Sequence, residues 1–131
     1  MGDAIVNNWD VYNKNCPTRL ILHRIADKWT VLIVGALTHD KKRFNELRRE
    51  INGVSQKMLT QTLRGMERDG LINRKIYATV PPKVEYSLTD LGYSLTHLLG
   101  EIRNWSETNV GEVLQSQERY DSIHNGTNNK I

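Results

Sequence analysis

Residues 43–70 read RFNELRREINGVSQKMLTQTLRGMERDG, two short amphipathic segments on either side of a turn. Phe44, Leu47 and Ile51 recur at the helical period, and the first segment ends at Asn52 and Gly53. Ser55 is a good N-cap for a second helix running from Gln56 to about Asp69, which Gly70 closes and whose apolar stripe is Leu59, Leu63 and Met66. Two short helices joined by a glycine-containing turn of about four residues make a helix-turn-helix. The second helix otherwise presents Gln56, Lys57, Thr60, Gln61, Arg64 and Arg68, with Glu67 the only acid near that face. These are side chains that reach phosphates and base edges. Most charged helix faces are merely solvated, so the rest of the chain must decide whether this one binds.

Charge weighs against a merely solvated face and towards a polyanion, although many basic surfaces bind nothing specific. Residues 41–83 carry eleven basic and four acidic side chains, a net +7, whereas residues 1–40 are neutral and residues 84–131 carry a net −4. A basic block inside an otherwise neutral or acidic protein is an electrostatic footprint of nucleic-acid binding.

Beyond the second helix the pattern switches to period two. Ile72, Arg74 and Ile76 alternate with Asn73, Lys75 and Tyr77, and Val84, Tyr86 and Leu88 with Glu85 and Ser87. Pro81 and Pro82 cannot sit in a paired strand and belong at the loop tip. A basic hairpin directly after a recognition helix is the order of a wing, and a very short strand around Lys42 to Phe44 is expected to complete a small sheet. Upstream, apolar residues from Leu20 to Leu37 predict two helices with a break near Ala26, Pro17 at the first helical position and Asp27 the second N-cap. Thr89 and Asp90 open a last long helix with Leu91, Leu95, Leu98, Leu99, Ile102 and Trp105 on one face, and Ile5, Val6, Trp9 and Tyr12 suggest another short amphipathic helix. The fold class is therefore mostly α with a small β-hairpin wing (α+β), a winged helix-turn-helix. So much apolar helix surface predicts a symmetric homodimer through the N-terminal segment and the last helix. The expected division is an arm over 1–15, the DNA-binding domain over 16–88, a dimerisation helix over 89–114 and a disordered polar tail over 115–131.

Other classes are poorly served. The chain has 131 residues, one domain's worth, and no apolar run long enough to span a bilayer; its first residues lack a signal-peptide pattern, so a cytoplasmic protein without membrane contact is expected. One cysteine, Cys16, excludes an intrachain disulfide or a CxxC zinc site, and no metal or cofactor is expected. His23, His39, His97 and His124 are scattered, and neither HExxH, GxSxG nor a phosphate-cradling glycine loop is present, so catalysis has no visible constellation. Two further readings stay open: a winged helix used as a protein-interaction module, and a regulator answering a small molecule without thiol sensing. Trp9, Trp29 and Trp105 suit a ligand pocket, but are better read as core.

Three stretches, CPTRLILHRIADKWTVLIVGAL, RFNELRREINGVSQKMLTQTLRGMERDGLI and YATVPPKVEYSLTDLG, closely resemble the HxlR-type, MarR-like bacterial transcriptional regulators from about Cys16 to Trp105. The resemblance implies a dimeric winged helix-turn-helix protein that binds double-stranded DNA at a promoter operator. It also implies that a cysteine beside a proline near the N-terminus, here Cys16 and Pro17, senses electrophiles or oxidants in some members; many relatives have a second cysteine that this chain lacks. In that arrangement Gln56, Lys57, Gln61 and Arg64 are expected on base edges in the major groove and Ser55 and Thr60 on phosphates. Arg43, Lys75 and Lys83 are expected to make phosphate or minor-groove contacts from the turn and wing. Cys16 at a helix start, with Lys14 and Arg19 close in sequence, is expected to favour the thiolate.

Overall fold

The computed structural model describes residues 8–125. Two helices come first, α1 (Thr18–Ile25) and α2 (Lys28–Leu37). Asp27 separates them, its carboxylate accepting from Trp29 N at 3.0 Å and Thr30 N at 3.1 Å, so the second helix starts on a satisfied cap. α2 is the spine: Ile33, Val34 and Leu37 are buried, and α6 and α4 pack against it. α3 (Phe44–Glu50) and α4 (Gln56–Arg68) form the helix-turn-helix. Its turn passes through Gly53 at φ +94°, a conformation that L side chains rarely adopt. α4 ends in a Schellman motif, with Leu71 N bonded to Met66 O, Gly70 N bonded to Glu67 O, and Gly70 at φ +78°.

β1 (Ile72–Tyr77) and β2 (Lys83–Leu88) pair antiparallel, Ile72 opposite Leu88 and Arg74 opposite Tyr86. The expected third strand is a single bridge: Lys42 and Tyr86 exchange both backbone hydrogen bonds, at 2.9 and 2.8 Å. α5 (Asp90–Tyr93) and α6 (Thr96–Asn125) follow. The core is one cluster in which α2, α3, α4, the hairpin and Leu99 of α6 interlock.

Four expectations need correction. The last helix is not continuous from Asp90: it breaks at Ser94 and Leu95, where the Ser94 hydroxyl bonds back to Leu91 O and Gly92 is pressed so closely on the Leu71 carbonyl that no Cβ fits there. The tail expected from residue 115 is instead helical through Asn125. Gln115, Gln117, Glu118 and Arg119 are strong helix formers without a breaker among them, and the Tyr120 and His124 rings stack one turn apart at 3.8 Å. Residues 126–131 lie outside the described residues, as do Ile5 and Val6. Trp9 and Tyr12 do not lie on a helix: Asp10 Oδ1 accepts from Tyr12 N and Asn13 Oδ1 from Asn15 N, so side-chain oxygens hold the backbone in turns. Trp29 packs against the core as expected, but Trp9 and Trp105 are 65% and 62% exposed.

Candidate nucleic-acid interface

α4 turns Leu59, Leu63 and Met66 inward, which leaves Gln56, Lys57, Gln61 and Arg64 exposed and Thr60 half-buried. Ser55 caps the helix, its Oγ accepting from Met58 N at 3.0 Å, which leaves its O–H to donate outward. Lys57 and Arg64 have no carboxylate within ion-pair distance among the described residues. The face divides along its length. Thr60, Arg64 and Glu67 border a cleft against the hairpin, whereas Gln61 borders one against α1 with His23, Arg24 and Asp27. Gln56 and Lys57 stand at the first turn of the helix, where unpaired backbone N–H groups favour an anion.

The hairpin assembles the wing cations around Tyr77. Lys75 and Lys83 approach its ring at 4.9 and 4.6 Å, one from each strand. Lys83 also lies 3.8 Å from Glu85. The Tyr77 hydroxyl, and then the positive fields of Lys83, Lys41 and Arg43, hold the Glu85 carboxyl below its ordinary range. Arg43 and Lys83, 40 residues apart in sequence, thus share one neighbourhood.

Sequence reasoning missed the second cleft wall. Arg74 Nε donates to Glu67 at 3.3 Å, and Arg74 and Tyr86 face Thr60 and Arg64 across the cleft. The signal was available: a hairpin with its centre at Val80 sets Arg74 opposite Tyr86 by symmetry alone.

Cys16 is half-buried ahead of α1, and Pro17 is the N-cap residue rather than the first helical one. Its sulfur accepts from the Thr18 hydroxyl at 3.1 Å and from Asp10 N at 3.2 Å. The Thr18 hydroxyl, then the backbone N–H groups of Thr18 and Asp10, lower the thiol's pKa against opposition from burial and the Asp10 charge. The neighbouring cations are not the cause expected of them. Arg19 turns away to the carbonyls of Val11 and Tyr12, both at 3.0 Å. α1 is in turn tied to α4: Arg24 Nε lies 2.8 Å from Asp69 Oδ2, with its guanidinium laid on Gly65.

Among the described residues no three His, Cys, Asp or Glu side chains are grouped to hold a metal, and no helix is long and apolar enough to cross a membrane. The family model for HxlR-like helix-turn-helix proteins matches residues 24–114. The HTH-type transcriptional regulator YtfH of Escherichia coli is 45% identical over 105 residues, 80% of this chain and 83% of that protein. The solved structure of the transcriptional regulator ytfH from Salmonella typhimurium superposes with a TM-score of 0.79 at 41% identity, covering 85% of this chain and 99% of that one. The redox regulator HypR in its oxidised form superposes with a TM-score of 0.67 at 42% identity, covering 72% of this chain and 97% of that one.

Proposed function

Because the chain belongs to the HxlR-like helix-turn-helix family of transcriptional regulators, we propose that it binds a pseudo-palindromic operator as a homodimer, with α4 in the major groove and the wing on the neighbouring backbone. The observation that carries this reading is α4 itself. Its inner stripe is consumed by the core, while Gln56, Lys57, Gln61 and Arg64 are left exposed at the spacing of one helix face. Arg64 suits guanine and the glutamines suit adenine, each correct pair supplying about 1 to 3 kcal/mol of discrimination. Ser55 and Thr60, with Arg43, Lys75 and Lys83, set register on the phosphates. The division of labour is an arm over 1–15, a DNA-binding domain over 16–88 and a dimerisation segment from residue 89 made of α5 and α6, which carries it to Asn125. The test is a footprint on the gene's own upstream region together with a salt titration. If the dimer neutralises about eight phosphates, log K falls against log salt with a slope near −7. A flat salt response excludes the electrostatic reading, and binding to a protein partner by the same face without DNA binding favours the interaction module.

Cys16 is the proposed input for an electrophile or oxidant. The likeness to a redox regulator supports it, as does the pair of hydrogen bonds that favour the thiolate. A modification at Cys16 is transmitted along α1 to α4 through Arg24 and Asp69, changing the angle at which two recognition helices meet half-sites about 34 Å apart. Thr18→Val removes the hydroxyl at nearly constant shape. The thiol's pKa then rises, the thiolate fraction at neutral pH falls, and iodoacetamide alkylates Cys16 several-fold more slowly, with the rate profile shifted to higher pH. An unchanged profile removes Thr18 as the activating group, and a Cys16→Ser protein whose DNA binding still answers diamide removes Cys16 as the sensor.

A further inference from the structure

The cleft between α4 and the wing has a volume of about 240 Å³ and is lined by Thr60, Leu63, Arg64, Glu67, Arg74 and Tyr86. Glu67 engages only Nε of Arg74, at 3.3 Å, so both Nη groups of that guanidinium remain without a hydrogen bond among the described residues. This side-on hold leaves the donor fork, the part of arginine that matches two oxygens of a phosphate, available. The cleft's charge is also specific. Two guanidiniums and one carboxylate leave +1, which matches a phosphodiester monoanion and under-compensates a phosphomonoester dianion. Tyr86 completes the set: burial pushes its hydroxyl's pKa up, so it is a neutral O–H donor. Its backbone is pinned to Lys42 ahead of α3, which joins the turn, the wing and α4 at one point.

We propose that this cleft seats one backbone phosphodiester of the duplex, gripped by Arg74 with Tyr86 donating, while Arg64, whose fork reads a base edge, adds only its positive field at the cleft wall, and that Glu67 is the positioning residue that aims Arg74. The proposal rests on the DNA-binding reading above and adds to it a phosphate site absent from the helix face alone. A carboxylate beside a phosphate repels it, so the value of Glu67 lies in geometry. A backbone contact also reads no sequence, so it weakens specific and random duplexes alike.

The experiment measures anisotropy of a random-sequence duplex of about 30 base pairs across a salt series. Each phosphate contact contributes a slope of about −0.9, or about eightfold in affinity at 0.1 M salt. Arg74→Ala, counted twice in a dimer, is expected to weaken binding about 60-fold at 0.1 M and to flatten the slope by about 1.8. Arg74→Lys keeps the charge and restores the slope. Glu67→Gln, which still accepts a hydrogen bond, is expected to bind more tightly than Glu67→Ala, which does not; equal or tighter binding by Glu67→Ala overturns the positioning role. If Arg74→Ala changes neither affinity nor slope while Lys57→Ala lowers both, the cleft assignment falls and the DNA-binding reading stands. If the unaltered protein binds no duplex, both fall. Competition by inorganic phosphate beyond that of chloride at equal ionic strength reassigns the cleft to a free anion and overturns the duplex assignment.

Discussion

Replacing Lys57 and Arg64 together by glutamate is expected to lower duplex affinity by about three to four orders of magnitude at 0.1 M salt. A dimer presents four of these cations. A cation lodged in the groove displaces condensed counterions as a direct phosphate contact does, so at about 0.9 per cation the loss of four removes about 3.6 decades of affinity at that salt, before the repulsion of the new carboxylates is added. The salt slope falls by the same count, from about −7 to about −3.6, so the two readouts check one another. The fold is expected to survive. Both side chains are exposed and have no ion-pair partner among the described residues, and surface substitutions of this kind change stability by about 0.5 kcal/mol or less. Thermal unfolding by circular dichroism should therefore match the unaltered protein while binding is lost. Retained affinity would move the principal contact from α4 to the wing.

The helix-turn-helix was legible because its determinants are local. Ser55, Gly53, Gly70 and the spacing of Leu59, Leu63 and Met66 each act within a few residues, and all agree. The segment from Trp9 to Asn15 misled because two competing local rules apply. Apolar spacing favours a helix, but Asp10 and Asn13 offer the backbone nearer partners, and the turns win. The C-terminal end of α6 misled for the opposite reason: beyond Leu114 only Tyr120 and Ile123 are apolar, so the helix propensity of Gln117, Glu118 and Arg119 carries most of the signal. The cleft at Arg74 was hidden because three elements build it, and a linear pattern shows each residue only against its sequence neighbours. Periodicity also cannot distinguish an apolar residue destined for the core from one left outside. Leu99 is fully buried while Leu98, beside it, is 50% exposed.

That ambiguity leads to the second large effect: Ile102→Glu combined with Trp105→Glu is expected to leave a folded monomer of about 15 kDa, whereas the proposed homodimer of the unaltered chain is expected to sediment at twice that mass. Leu98, Ile102 and Trp105 lie at i, i+4 and i+7 on one edge of α6, each 46% exposed or more. On α1, Leu20 is 72% exposed and Ile21 52%. Fully burying one such side chain is worth about 1.5 to 3 kcal/mol, and a soluble monomer rarely leaves so many in water. A two-fold contact counts each residue twice, so the double variant sets four carboxylates in the proposed interface, where desolvation opposes association. Leu99, which anchors α6 to its own core, is untouched, so the monomer keeps α4 in place. Its DNA binding should become monovalent, with affinity for a two-half-site operator lower by about 10²- to 10⁴-fold and affinity for a single half-site nearly unchanged. Sedimentation equilibrium and half-site titrations separate this from a folding defect, which would lower both affinities together. A variant that stays dimeric at full affinity would place the two-fold axis on α1 and leave the apolar edge of α6 to another role.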